Sequence, residues 1–232
     1  MRSIRDSRSL FGLVVTVVLG TGFTASAATV PFTETFSADA ANWRDTTGTS
    51  PLDWSAAGGP NGGAFTQTAF SFANSAANDT PILFRAQDEF GSSGGAFVGN
   101  WVTDGVTGFA ASVRQDTGVP LNFFVRFASP ANFPGANNVF FVPVPSGTWT
   151  DIFAPLPNAN LIYEGPLTYN QVFSNVGHVQ IGVAVPGSLA GSQADFQFGL
   201  DNVSIVPEPA TLGLLAIGGL AGFLRTRRRA VR

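Results

Sequence analysis

The chain lacks cysteine and lysine altogether, and it has one histidine and one methionine among 232 residues. Without cysteine, a disulfide framework, thiolate zinc sites and cysteine nucleophiles are excluded. Without lysine, and with a single histidine, nucleophilic machinery is hard to assemble. The sequence therefore predicts a protein that is not an enzyme.

Charge is also scarce, and it is unevenly distributed. Charged residues make up 12% of the chain, and eight of the twelve arginines lie close to its two ends. Residues 28–206 keep four arginines against thirteen carboxylates, a formal charge of −9. Such a surface repels nucleic-acid phosphates, so nucleic acid is not an expected partner.

The N-terminal residues have the order of a secretion signal. Three arginines within the first eight residues precede an apolar run from 10 to 19, and the small-residue triplet Ala25-Ser26-Ala27 follows. This order predicts a helical signal peptide over residues 1–27, with Ala25 and Ala27 fitting the peptidase cleft. We expect the Sec translocon and signal peptidase as partners, and cleavage after Ala27.

The C-terminal residues, 207–232, combine a short triplet with an apolar segment and a cationic end. Pro207-Glu208-Pro209 is followed by an uncharged stretch from 210 to 224. As a helix this stretch spans about 22 Å, less than the roughly 30 Å of a bilayer core, so it predicts a transmembrane helix that is marginal as a permanent anchor. The arginines that keep the end cytoplasmic are Arg225, Arg227, Arg228 and Arg229.

This tail resembles the PEP-CTERM sorting signal of Gram-negative bacteria in the triplet, the glycine-containing apolar helix and the arginine cluster. The resemblance implies recognition by an exosortase, a membrane peptidase that cleaves near the triplet. It also implies export across the inner membrane and delivery to the cell surface or the medium. Whether the tail is removed or stays as an anchor is left open, and a plain tail anchor is the alternative interpretation.

Residues 28–206 predict one extracellular β-sandwich domain. Period-two alternation recurs in runs of about eight residues separated by Gly, Pro, Asn and Ser. Strands are predicted at 30–37, 65–72, 82–87, 97–102, 108–115, 121–129, 139–144, 149–156, 178–185 and 195–206. A helical turn is expected near 168–175, and a change of parity at Asp201-Asn202 predicts a β-bulge.

Three short pieces resemble the jelly-roll domains of carbohydrate-binding modules: Thr33-Glu34-Thr35-Phe36, residues 146–150 and residues 200–205. The resemblance implies a mostly-β, antiparallel β-sandwich of jelly-roll type. In those modules an acidic residue of the first strand and the aspartate of the last strand often share a structural calcium ion. Glu34 and Asp201 occupy the corresponding places, so calcium is the one cofactor that we expect.

A sugar site needs an aromatic platform beside hydrogen-bonding groups. Three tryptophans lie in or near loops rich in Asn, Asp and Gly, whereas Trp149 is interpreted as structural. Residues 108–129 are predicted to form a hairpin with a polar face, and His178 is predicted to lie on a solvated face. The predicted ligand-binding residues are Trp43, Trp54, Trp101, Arg114 and Arg126.

Two functions stay open. The first is an exported cell-surface or matrix protein with a structural or adhesive role linked to exopolysaccharide or biofilm. The second is a glycan-binding module with a defined, calcium-supported sugar site.

Overall fold

The computed structural model of the protein describes residues 27–140 and 142–207. The predicted signal peptide, apart from its last residue Ala27, lies outside these residues, as do Glu208, Pro209, the apolar tail segment and the arginine cluster. Within the described part of the chain, no helix has the length and hydrophobicity needed to cross a bilayer.

The described residues form two antiparallel sheets. The strands are β1 (Phe32–Glu34), β2 (Asp53–Ser55), β3 (Phe65–Ser71), β4 (Ile82–Gln87), β5 (Val106–Gln115), β6 (Phe123–Ala128), β7 (Gly135–Val139), β8 (Thr150–Pro155), β9 (Leu161–Tyr163), β10 (His178–Val183) and β11 (Asp195–Pro207). The six-stranded sheet has the order β2-β3-β11-β5-β8, and β1 also pairs with β11. The five-stranded sheet has the order β4-β10-β6-β7-β9.

The two sheets pack face to face around one core, which confirms the predicted antiparallel β-sandwich of jelly-roll type. Alternation explains the packing, because every second residue of a strand points to the same side. In β5 the side chains of Phe109 and Val113 are fully buried, and in β6 those of Phe123 and Phe127 are too. The rings of Phe109 and Phe127 meet edge to face across the sheets, with centroids 5.4 Å apart.

The predicted hairpin of residues 108–129 is wrong. β5 pairs with β11 and β8, whereas β6 pairs with β10 and β7 in the other sheet. The connection between them passes from one sheet to the other, and the Gln115 side chain organises it by donating to the Val119 carbonyl and accepting from the Thr117 N–H. Local alternation gave the correct faces of both strands, but it carries no information about which strands pair.

The segment 97–102 was also mispredicted as a strand. It is a set of turns in which Trp101 is buried and donates its Nε1–H to the Phe97 carbonyl at 2.8 Å. Three strands were missed, β2, β7 and β9, because they are short or, like the Gly-Ala-Asn-Asn-Val run of β7, have few apolar side chains.

Two local predictions are confirmed. The register of β11 against β5 shifts between Asp201 and Ser204, where Asn202 has a φ of 49°, so the strand is bulged there. The helical turn is α1 (Tyr169–Phe173), whose N-terminus is capped by reciprocal bonds between Thr168 and Gln171.

Candidate functional site

A surface cleft of about 200 Å³ lies on the outer face of the six-stranded sheet. Three neighbouring strands supply its lining, because residues of one parity in β3, β11 and β5 all point away from the core. The lining residues are Phe65, Gln67, Arg114, Asp116, Gln197 and Gly199. The cleft therefore combines an aromatic ring, two amides, a guanidinium and a carboxylate.

Trp149 borders this cleft and lies directly over the backbone of β11. A Cβ atom added at Gly199 would be 2.8 Å from Cη2 of Trp149, so the ring fits there only because residue 199 is glycine. The Phe65 ring meets Trp149 edge to face at 5.3 Å between centroids. The indole Nε1–H donates to the Gly58 carbonyl at 2.9 Å. These contacts hold a half-buried indole in a fixed orientation at the surface.

Three of the four polar side chains that line the cleft have no hydrogen-bond partner among the described residues. Within residues 27–140 and 142–207, the side chains of Gln67, Arg114 and Gln197 make no hydrogen bond to protein. Asp116 accepts the backbone N–H of Gln197 through Oδ1 at 2.8 Å, which ties the cleft's rim to β11. An aromatic ring beside unpaired amide and guanidinium donors is the chemistry of a hydroxyl-rich ligand site.

The predicted tryptophan platform is corrected by burial. Trp43 and Trp101 are 0% exposed and pack in the core, so neither ring offers a face to a ligand. Trp54 is 40% exposed, with its Nε1–H donating to the Phe36 carbonyl, but it lies outside the cleft. The structure brings none of these three rings to Arg114, which is the one predicted ligand-binding residue in the cleft.

Arg126 has a structural role instead of the predicted ligand-binding one. Its Nε and Nη2 donate to the two carboxylate oxygens of Glu164 as a fork, and its remaining hydrogens go to Asn132 and Gln180. All five donors of the guanidinium are thereby used inside the protein. The bond to Arg126 also holds the pKa of Glu164 below its ordinary value.

His178 is buried, which corrects the prediction of a solvated face. It is 3% exposed because loop residues cover the outer face of β10 at this end. Its Nδ1 lies 3.2 Å from Asn132 Oδ1, and its Nε2 lies 3.1 Å from Glu89 Oε2. Burial lowers the pKa of His178, and the opposing attraction of Glu89 only partly offsets it.

Glu34 and Asp201, the residues predicted to hold calcium, lie close to each other. Glu34 pairs with Val203 across β1 and β11, two residues beyond Asp201. Burial raises the pKa of Asp201 to about 6, and the charge of Glu34 adds to that rise. Adjacent carboxylates without a positive partner suit a divalent cation, but among the described residues no group of three or more acidic, His or Cys side chains surrounds them. Backbone carbonyls would have to complete the shell.

Trp149, Gln67 and Gln197 were not predicted as candidate site residues. The available signal was parity: Trp149 shares its side of the strand with Phe153, which is 56% exposed. Asp151 stands between them on the same side, and a carboxylate there is the sequence signal that this side meets solvent.

The end of β11 leads directly into the tail. Pro207, the last described residue, still pairs with Val106 of β5 and is exposed. A family model of the PEP-CTERM protein-sorting motif matches residues 206–229. The chain carries a PEP-CTERM sorting motif. This motif marks an exported protein that an exosortase processes, and here it begins where the last strand ends.

Comparisons of the body are less specific. No curated protein sequence matches the chain. Among solved structures, the family 11 carbohydrate-binding module of Clostridium thermocellum Lic26A-Cel5E is similar at 11% identity, with 78% of this chain and 96% of that chain covered and a TM-score of 0.43.

The family 30 module of Cel9D-Cel44B, also from Clostridium thermocellum, is 10% identical over 80% of this chain and 95% of that chain, with a TM-score of 0.41. The xylanase 10B fragment from the same organism, solved with xylohexaose, is 18% identical and has a TM-score of 0.47. The match spans 77% of this chain but only 28% of the xylanase fragment. These similarities concern the fold, and they are too distant to assign a ligand.

Proposed function

We propose that this protein is a surface or matrix component, sorted by an exosortase, whose β-sandwich binds polysaccharide through the Trp149 cleft. The role is adhesive and non-catalytic, with exopolysaccharide of the host envelope or biofilm as the polymer. The observation that carries the proposal is the indole of Trp149 lying over Gly199 beside the unpaired side chains of Gln67 and Arg114.

The composition of the cleft supports binding to sugar. A sugar ring presents apolar C–H groups on one face and hydroxyls around its edge, so it needs a flat apolar surface and several hydrogen-bonding groups. Trp149, supported by the buried Phe65 ring, supplies the first, and the amides of Gln67 and Gln197 supply both donors and acceptors. The orientation of the indole is set before binding, which reduces the entropic cost of ordering the site.

The same cleft supports binding without hydrolysis. Glycosidases use two carboxyl groups about 5–9.5 Å apart across the scissile bond. Asp116 is the one carboxylate in the cleft lining, and its Oδ1 already accepts the Gln197 N–H. Two carboxylates outside the cleft are also engaged by the protein: Glu89 contacts His178, and Asp104 accepts the Ala28 N–H at 2.8 Å.

Titration of the full chain in detergent with soluble oligosaccharides and with host exopolysaccharide tests the proposal by calorimetry. We expect saturable binding that Trp149→Ala weakens by roughly thirtyfold, since truncating an aromatic anchor commonly costs about 2 kcal/mol. Gly199→Ala should weaken it too, because the new Cβ displaces the indole.

Trp54→Ala is the matched control. Trp54 is also partly exposed and also donates its indole N–H to a backbone carbonyl, but it lies outside the cleft. Its removal should leave the affinity within twofold of the wild type. Absence of saturation with every polysaccharide, or equal losses in Trp54→Ala and Trp149→Ala, would refute the proposed site and favour a purely structural matrix role.

A further inference from the structure

A row of polar side chains crosses the outer face of the five-stranded sheet, on the side of the sandwich away from the cleft. Cross-strand register places Arg85, Gln180, Arg126 and Asn137 next to one another on β4, β10, β6 and β7. Arg44 extends the row, because it exchanges both backbone hydrogen bonds with Arg85 at 2.9 Å. Three of the four arginines of residues 28–206 therefore stand in one line.

The two ends of this row differ in how their charges are compensated. Arg126 forms a fork with Glu164 and is saturated. Arg44 and Arg85 form no ion pair with any described residue. The Arg44 guanidinium lies over the Phe90 ring, 5.3 Å from its centroid. Burial, and then the charge of Arg126, lower the pKa of Arg85. Asp45 is close enough to attract Arg85, but its Oδ1 is engaged by the turn that follows it.

Several hydrogen-bonding groups around this pair are also unsatisfied. Gln180 is 2% exposed. Its Oε1 accepts a hydrogen bond from Arg126, but its buried Nε2 has no partner among the described residues. The buried Nε of Arg44 and hydroxyl of Thr46 have no partner either. Arg85 uses only its Nε, which donates to the Thr46 carbonyl at 3.0 Å, and its two terminal nitrogens bond to no described residue.

One kind of ligand would satisfy both the unpaired donors and the uncompensated positive charge. A buried donor without a partner destabilises the fold, and the charge of Arg126 adds repulsion toward Arg85. A ligand that carries negative charge and several acceptor oxygens would relieve both, and the planar fork of arginine matches such a group geometrically. Neutral sugars supply acceptors but no charge.

We propose that Arg44, Arg85 and Gln180 form a binding site for an oxyanion, the carboxylate or sulfate group of an acidic polysaccharide. The terminal nitrogens of Arg85, which is half-buried, are the donors left for the ligand, and the buried Gln180 forms the floor of the site. The source of the oxyanion rests on the proposed polysaccharide partner, but the site is separate from the Trp149 cleft. It confers selectivity for acidic over neutral polymers on a domain whose overall charge repels them.

Calorimetry on the full chain in detergent tests this site with three probes: trigalacturonate, a sulfated galactotriose and uncharged galactotriose. We expect at least one charged probe to bind roughly tenfold or more tightly than the uncharged one, and the preferred probe identifies carboxylate or sulfate as the source. The preference should shrink between 50 and 500 mM salt, since it is electrostatic.

Variants separate this site from general charge effects. Arg85→Gln should abolish the preference for the charged probe, whereas Gln193→Glu, the same change of charge at an exposed residue of neither site, should keep it within twofold. Gln180→Glu places a carboxylate between Arg85 and Arg126 and should remove oxyanion binding without lowering the unfolding temperature. That variant reports on the site even if Arg85→Gln fails to fold.

Equal affinity for charged and uncharged probes would overturn the site, as would equal losses in Arg85→Gln and Gln193→Glu. Loss of galactotriose or polysaccharide binding in Trp149→Ala, with the oxyanion preference retained, shows the two sites to be independent. A cleft that binds no sugar would thus not refute the oxyanion site, and the absence of an oxyanion preference would not refute the cleft.

Discussion

Replacing Arg126 by methionine should destabilise the β-sandwich strongly, even though the two side chains have similar length. The change removes five donors at once. Gln180 Oε1 then loses its partner at a position that is 2% exposed, which costs about 1–3 kcal/mol. Glu164 loses a forked ion pair, although its side chain is 30% exposed and regains some hydration.

Breaking a buried pair commonly costs 3–5 kcal/mol, and the partial exposure of Glu164 places the expected loss at the low end, about 3 kcal/mol. For a domain of this size the unfolding temperature should fall by roughly 6–12 °C, at 2–4 °C for each kcal/mol. Urea unfolding gives the free energy, and a scan gives the temperature. Arg114→Met is the control, because the Arg114 guanidinium makes no hydrogen bond among the described residues; it should change stability by less than about 0.5 kcal/mol.

A double-mutant cycle and a pH series complete this test. Arg126→Met and Glu164→Gln should be coupled by about 1–3 kcal/mol. The pKa of Glu164 is lowered from 4.5, chiefly by its hydrogen bond to Arg126. The stability that this carboxylate contributes is therefore present above pH 4.5 and is lost as pH falls through its lowered pKa. A loss below 1 kcal/mol in Arg126→Met, or additive single effects, would refute the structural role of the network.

Three further predictions follow from other parts of the chain. Burial lowers the pKa of His178 from 6.5, and Glu89, Arg85 and Arg126 are the charged groups that face it. As pH falls, the unfolded state therefore binds a proton at His178 at a higher pH than the folded state does. The free energy of unfolding should therefore fall between pH 7.5 and 5.5, and His178→Gln should remove that slope in urea unfolding. If Glu34 and Asp201 hold calcium, 5 mM calcium should raise the unfolding temperature of the wild type by a few degrees and leave Asp201→Asn unchanged, since a ligand that binds only the folded form stabilises it; no shift in the wild type argues against the site. Changing Pro207-Glu208-Pro209 to alanines should retain the protein in the inner membrane, which fractionation detects; normal arrival at the surface would contradict exosortase sorting.

The sequence by itself determined the features that depend on near neighbours along the chain. Export signals are read linearly, so the order of triplet, apolar segment and arginines was enough for the tail. Strand parity is also local, because successive side chains alternate between faces. It therefore located the inward residues of β5 and β6 and the phase break at Asp201.

Only the tertiary structure decided which surfaces those elements form. Whether a tryptophan lies in the core depends on what the rest of the chain stacks over it, and Trp43 and Trp101 are buried for that reason. The pairing of β5 and β6 with different sheets is likewise a long-range choice that alternation does not encode. Trp149 contacts Gly199, which lies fifty residues further along the chain, and Arg44 pairs with Arg85, which lies forty-one residues further along. Both binding surfaces exist because sheet register aligns residues that are remote in sequence, and register is set by the whole packed sandwich.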